Sequence, residues 1–349
     1  METRRLGSSD LHLSVLGMGC WQYGGGKYWG AQRQKDVDET VAQAIDLGIN
    51  YFDTAEVYND GESERSLGAA LKGKRDKAIV GSKISPSNAS PDKLRLHCEM
   101  SLRRLGMDYI DLYMIHWPVE RHAIAHFTDD KAVLDHPPAL ADVFDALHRL
   151  RQEGKVRQIG ISNHGIEQME EVKRAGGTFV ANEMAYSLLS RAIEDRILPY
   201  CVKNEVGVLG YMALQQGLLS GKYARADEVK PMQARSRHFH RQRGEGTRHG
   251  EEGAEEEAFR AIAEIRKLAD ELGVHMTSLS LAWAIANPGI TSVLVGSRDR
   301  AQLLQNAQAL TTVLEPQTMR ELNRITRPVL DKLGDNPDYY EHRNNSRIR

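Results

Sequence analysis

Short apolar runs of strand length alternate along this chain with longer stretches in which apolar residues recur at helical spacing. The strand-like runs cover 15–20, 49–53, 78–83, 110–116, 158–162, 179–183, 206–212 and 292–296. Between them, 37–47 carries an apolar face and ends at Gly48, a residue type that permits a left-handed helix cap. The segment 91–105 starts after Ser90, a good N-cap, and stops before Gly106. Such alternation predicts repeated βα units and a parallel sheet. Eight units are the number that closes a (β/α)8 TIM barrel, although a doubly wound open sheet would alternate in a similar way.

Two segments break the alternation. From 221 to about 257 the chain is polar, rich in Arg, His, Gly and Glu, and too long for an ordinary connection, which predicts a functional or partly disordered loop after strand seven. The tail 334–349 has no periodic apolar face and is expected to be irregular. The expected organisation is one barrel domain over 1–349, with extra helices near the C-terminus.

Charge narrows the partners. The 46 Lys and Arg residues are interspersed with 48 Asp and Glu, for a formal net charge of −2, so neither nucleic acid nor a charged membrane is expected. Cys20, Cys98 and Cys201 form no pairable motif, which argues against a disulfide framework or a thiolate metal site and fits a reducing compartment. With no apolar leader region at the start and no bilayer-length apolar run, the expected location is cytoplasmic.

In a barrel, polar residues at the C-terminal strand ends face the active site. Here strand two ends in Asp53 with Tyr58 in the loop beyond, strand three ends in Lys83 and strand four in His116. A phenol with its usual pKa of about 10 needs a nearby cation to exchange a proton near neutrality, and Lys83 can supply it. Asp53 would hold that lysine charged, and a neutral His116 could hydrogen-bond a substrate carbonyl. One such residue alone is more often structural; four at successive strand ends are hard to dismiss.

Asp53 and Tyr58 stand in Asp53-Thr-Ala-Glu-Val-Tyr58 and His116 in a long run from Ser101 through His116-Trp-Pro118, and the chain also carries Gly61-Glu-Ser-Glu64, Gly160-Ile-Ser-Asn163 and Gly217-Leu-Leu-Ser-Gly-Lys222. In these segments, and over nearly its whole length, the chain resembles the aldo-keto reductase superfamily. The resemblance implies a catalytic tetrad of Asp53, Tyr58, Lys83 and His116, with Tyr58 as general acid in reduction and general base in oxidation. It also implies a nicotinamide site. Ser162, Asn163 and Asn182 would meet the carboxamide, with Asn182 standing where the family usually has Gln. Tyr211 would stack on the ring. Gly19, Cys20, Trp21, Met212, Leu214, Gly217, Leu219 and Lys222 would line the cofactor. Gly296, Arg298, Gln302, Gln305 and Asn306 would take the adenosine-phosphate end. An Arg suits a phosphate dianion, so NADP(H) is favoured over NAD. Departures from the family pattern are Asn59 after the tyrosine, His164 after Ser162-Asn163, and Tyr211-Met-Ala-Leu214 in place of Tyr-Ser-Pro-Leu. A Rossmann unit is disfavoured, because Leu16-Gly-Met-Gly19 is a poor match to its glycine-rich turn. The three glycines 24–26 lack the helix start such a unit needs and read as backbone permissiveness beside the cofactor.

Trp21, Tyr23, Trp29 and Trp117 fall near the expected pocket and suit the flat face of a sugar or an aromatic aldehyde. Polar Glu56, Asn59 and His164 tilt the expectation toward a hydroxylated substrate such as a sugar, keto-sugar or polyol. His238, His240 and His249 lack a metal-ligand spacing, so no metal is expected and the 221–257 segment reads as a charged, solvated loop. That loop is a candidate lid, with Lys222, Arg235 or Arg237 reaching the pyrophosphate. The expected activity is NADP(H)-dependent reduction of an aldehyde or ketone. The alternatives are a sugar or polyol dehydrogenase working oxidatively, and a non-catalytic subunit sensing nicotinamide state. Tyr339, Tyr340 and Arg349 in the tail offer contacts for a homo-oligomer.

Overall fold

The computed structural model describes residues 1–349. A two-stranded antiparallel hairpin, β1 (Thr3–Arg5) and β2 (His12–Ser14), precedes the barrel. Eight parallel strands then close on themselves in chain order: β3 (Leu16–Gly19), β4 (Tyr51–Asp53), β5 (Ile79–Ile84), β6 (Ile110–Ile115), β7 (Val156–Ser162), β8 (Ala181–Ala185), β9 (Gly207–Tyr211) and β10 (Ile290–Gly296), which pairs back with β3. Each overlaps one of the eight apolar runs, so the closed barrel, rather than an open sheet, is the fold.

The helices return the chain between strands. They are α1 (Gln34–Asp46), α2 (Glu62–Ala70), α3 (Pro91–Leu105), the short α4 (Arg121–Ile124) and α5 (Lys131–Asp135), α6 (Leu140–Gln152), α7 (Ile166–Arg174), α8 (Ile197–Lys203), α9 (Glu255–Glu271), α10 (Met276–Ala286), α11 (Arg300–Ala307) and α12 (Pro316–Leu333). Helix α3 starts at the expected residue with Pro91 in its first turn and ends at Gly106, whose φ of 64° is the left-handed cap the sequence predicts. Ser90 occupies the N-cap without a side-chain hydrogen bond, so Pro91, whose fixed φ suits the first helical position, is the clearer start signal. No helix is long and apolar enough to cross a membrane.

The hairpin was not expected from the sequence. Its strands are three residues each, too short for a periodic signal. It plugs the N-terminal end of the barrel. Leu6, Leu11 and Leu13 pack with Tyr51, Leu112, Met114, Leu209 and Leu294, and Arg4 donates to the carbonyls of Ile285, Asn287 and Ile290. With that end filled by side chains, the opposite end is left for a site.

The 221–257 segment differs from a solvated loop. Ser236, Arg237, His238 and His249 are buried, two short 3-10 turns interrupt it, and its last residues already begin α9. It is built against the tail, which is also packed. Arg237 donates to the carbonyls of Leu333 and Asn336 and its backbone N–H to that of Tyr339, while Arg343 pairs with Glu251 and Arg248 with Glu341. Two polar segments satisfy each other's charges, which single-segment periodicity cannot reveal. Tyr339, expected at a subunit contact, is buried within its own chain, where its hydroxyl accepts from the Ala192 N–H. The Tyr340 hydroxyl accepts from Gln216, and Arg349 pairs with Glu120 on the protein's own surface.

Candidate active site

The C-terminal ends of the strands surround a cleft of about 1070 Å3. Asp53 ends β4, Lys83 lies in β5 one residue before its end, and His116 follows β6. Tyr58 begins a short 3-10 turn, Tyr58–Gly61, which continues into α2. The structure brings these four together. Lys83 Nζ is fully buried and lies 2.6 Å from Asp53 Oδ2, 3.0 Å from the Thr54 carbonyl and 3.4 Å from Tyr58 Oη. The Tyr58 and His116 rings meet edge to face with centroids 5.5 Å apart.

Burial disfavours charge on Lys83, yet Asp53 and Glu183 together outweigh it and keep the ammonium protonated well beyond its ordinary range. Burial holds the Asp53 carboxyl above its usual value, with Lys83 opposing. For Tyr58, burial exceeds the pull of Lys83, so its pKa is raised rather than lowered. The expectation of an acidified phenol therefore does not hold for the cofactor-free protein, in which Tyr58 keeps its proton. Burial first and Lys83 second push the His116 imidazole well below its ordinary pKa, and its Nδ1 has no partner in the protein. A neutral imidazole on the cleft wall can hydrogen-bond a carbonyl oxygen placed between it and Tyr58.

The cleft wall includes Gly19, Cys20, Trp21, Ser162, Asn163, Tyr211, Met212, Leu214, Gly217, Lys222, Gly296, Arg298, Gln302, Gln305 and Asn306. Tyr211 donates to Asn163 Oδ1 at 2.7 Å, and Asn163 Nδ2 donates to the His116 carbonyl, tying three rim positions together. Asn163, Met212 and Gln216 all take positive φ, a backbone strain of about 1–3 kcal/mol each that is typical of functional rims.

Some expected contacts lie elsewhere. Leu219 is fully buried in the core and off the cleft wall. Tyr23, expected against substrate, is likewise buried, with its ring in the hydrophobic core. Asn182 points out of the barrel, donating to the His164 carbonyl and contacting Met169 of α7. Alternation along β8 explains this, because adjacent residues face opposite sides and Glu183 takes the inward position. Arg237 faces the tail instead of the cleft. Glu56 pairs with His97, and His164 bonds the Ser162 carbonyl, so neither offers a polar group to substrate.

Asn59 acts at one remove. Its amide donates to the carbonyls of Trp21 and Tyr23 and clamps the loop that carries the aromatics. Gly24, Gly25 and Gly26 in that loop all have positive φ, and a Cβ on Gly24 would lie 2.7 Å from the Glu62 backbone. These glycines shape the loop and are not part of the cleft wall.

Several contributors escaped sequence reasoning, four of them close to the tetrad or the aromatic wall. Tyr28 stacks on Trp21 at 4.9 Å and donates to Gln216. His126 and Phe127 reach the cleft from the irregular stretch after α4. Glu183 lines the floor, with Oε2 3.4 Å from Lys83 Nζ. Its inward side was legible from strand alternation, but its contact with β5 across the barrel was not.

The cleft has room and chemistry for a dinucleotide. Lys222, Lys230 and Arg235 line it without forming an ion pair, which suits a pyrophosphate. At the far end the Arg298 guanidinium donates to the Trp29 and Ala31 carbonyls and to Gln32 Oε1.

A plugged (β/α)8 barrel with a polar, cation-lined cleft at the C-terminal strand ends is the class this architecture defines. The family model described as "Aldo/keto reductase family" matches residues 15–327, and the chain belongs to that family. An NADH-specific methylglyoxal reductase of Escherichia coli is 30% identical over 340 residues, covering 91% of this chain and 97% of its own. Among solved structures, a glycerol dehydrogenase from Gluconobacter oxydans is 28% identical, covers 96% of this chain and 97% of its own, and has a TM-score of 0.74. An aldo-keto reductase from Klebsiella pneumoniae in complex with NADPH is 27% identical with a TM-score of 0.69, covering 94% and 95%.

Proposed function

We propose that this protein reduces an aldehyde or ketone to the alcohol with NADPH, using Tyr58 as general acid. The observation that carries the reading is the Lys83 ammonium, in contact with both Asp53 and Tyr58 at the floor of the cleft. Reduced nicotinamide, when bound, supplies the hydride. Ser162 and Asn163 would hold its carboxamide and Tyr211 its ring face. His116 orients the carbonyl oxygen, Tyr58 gives up its proton as negative charge develops there, and Lys83 stabilises the phenolate that remains. Trp21, Tyr28, Trp29, Trp117 and Phe127 form an aromatic wall that would receive the body of the substrate. With Glu56 and His164 off the wall, this surface supports a substrate read mainly by its flat or apolar face.

A second cofactor reading, NADH, draws on one observation. Arg298 is engaged by loop carbonyls and must leave them to meet a 2′-phosphate. The test is single-turnover oxidation of bound NADPH, and of NADH, by a panel that includes methylglyoxal, aromatic aldehydes and keto-sugars, beside oxidation of glycerol and sugars. Tyr58→Phe keeps the ring and removes the transferable proton, so it should cut the rate about 10^2- to 10^4-fold without weakening cofactor binding. No turnover with any carbonyl, or full activity in Tyr58→Phe, refutes the reading.

A further inference from the structure

Lys83 has three N–H donors and four acceptors. Asp53 at 2.6 Å and the Thr54 carbonyl at 3.0 Å take two; Tyr58 Oη and Glu183 Oε2, both at 3.4 Å, compete for the third. Glu183 is 3% exposed, and its Oε2 has no hydrogen bond. Two carboxyls therefore share one buried ammonium, and both cannot ionise there without leaving a net negative charge in a poorly solvated place.

We propose that Glu183 is a positioning residue for Tyr58: it shares one proton with Asp53, and loss of that proton turns the third N–H of Lys83 away from the Tyr58 oxygen. This rests on the reading of Tyr58 as general acid. The groups around Glu183 are consistent with a single shared proton. Lys83 of β5 contacts it, Asp53 and Tyr51 of β4, Tyr58 of the rim loop and Tyr211 of β9 lie near enough to sense its charge, and Cys20 and His116 share the cleft wall with it. Lys83 is the only cation among them, since His116 is neutral. Burial raises the Glu183 carboxyl well above the carboxylate range, the Asp53 charge raises it further, and Lys83 opposes.

With the proton present, the pair carries one negative charge against the one positive charge of Lys83, and the ammonium can stabilise a phenolate on Tyr58. With the proton gone, the pair carries two, and a phenolate would form against the excess. Tyr58 then becomes a weaker acid and reduction slows. Only a proton moves between carboxyl and solvent; no other bond changes.

The experiment compares wild type with Glu183→Gln, which keeps the shape and cannot ionise. In wild type kcat for carbonyl reduction should fall about tenfold from an acid to an alkaline plateau, given a unit charge a few ångströms from Tyr58. Glu183→Gln should stay within about twofold over the same range. A fall of equal size in the variant overturns the proposal, because a merely structural glutamate would leave the profile in place. Infrared difference spectra of the cofactor-free proteins should show a protonated carboxyl band in wild type below the transition and lose it in the variant. An unchanged band overturns the shared proton. If the variant does not fold, the wild-type band and kcat must titrate together, and separate midpoints overturn the proposal. A wild type that reduces no carbonyl at any pH would refute the proposed function instead, while the infrared arm still decides the shared proton.

Discussion

The Arg347 guanidinium lies 3.8 Å above the centre of the Trp117 ring and donates through two nitrogens to the buried Asp338 carboxylate. Both Trp117 and Arg347 line the cleft, so the third residue from the end of the chain forms part of the wall where substrate is proposed to bind. Burial alone would raise the Asp338 carboxyl, but Arg347 overcomes it and holds the group below its ordinary range. Arg347→Ala would strand that carboxylate, a change that costs about 3–5 kcal/mol in buried pairs. The expected outcome is a tail that becomes sensitive to protease and a carbonyl KM that rises more than kcat falls. If the tail stays protected and KM is unchanged, the tail does not build the wall.

Arg298 gives a separate test at the other end of the cleft. If it meets a 2′-phosphate, Arg298→Ala should weaken NADPH about 10- to 100-fold, the worth of one charge-assisted pair, and NADH by less than about threefold. Because Arg298 also holds the Trp29–Gln32 loop, Gln32→Ala is the control for loop loosening and should affect both cofactors alike. Equal losses for the two cofactors in Arg298→Ala would assign the residue to the loop alone. Fluorescence titration of each reduced cofactor measures all four values.

The barrel was legible because each strand is a short apolar run closed off by polar or glycine-containing turns, and local patterning suffices for that. The tetrad was legible because strand order alone carries Asp53, Lys83 and His116 to one rim. What was hidden depended on contacts between distant segments. The 221–257 stretch read as solvated because Arg237 and Arg248 find acceptors at Leu333, Asn336 and Glu341, and Glu251 meets Arg343, all about a hundred residues away. Asn182 was read as standing where the family has its glutamine, whereas alternation along β8 sends it out toward α7 and leaves Glu183 inward. The raised pKa of Tyr58 was also beyond the sequence, since it turns on how deeply the rim buries the phenol.

Lys222, Lys230 and Arg235 all come from the 221–257 stretch and face the cleft without acidic partners. A dinucleotide pyrophosphate that engaged them would tie the stretch down as a lid. Limited proteolysis within 221–250 should therefore slow at least about tenfold at 100 Kd of NADPH, as mass action on an opening equilibrium requires. Arg235→Ala should remove most of that protection at the same fractional saturation. Equal cleavage rates with and without cofactor would rule out closure by this segment.

Acid should destabilise the fold before most carboxylates titrate. His164, His238 and His249 are buried, and burial is the first cause that pushes each of them down to about 4; for His238 and His249 the nearby Arg237 adds to it. In the unfolded chain each returns to about 6.5. Between those values the unfolded state binds more protons than the folded one, so stability rises with pH, and on acidification it is lost as pH falls from about 6.5 toward 4. The Asp338 carboxyl, depressed in the fold, acts at lower pH, below its unfolded value of about 3.9. Each histidine can steepen the unfolding equilibrium by up to about tenfold per pH unit in its window. His238→Gln should flatten this slope by one such increment. It should also lower stability at pH 7, because the imidazole hydrogen-bonds the Leu189 carbonyl at 2.8 Å. Urea titrations at pH 7, 6 and 5 on both proteins measure the slopes, and parallel curves for wild type and variant would show that His238 takes no part in the acid response.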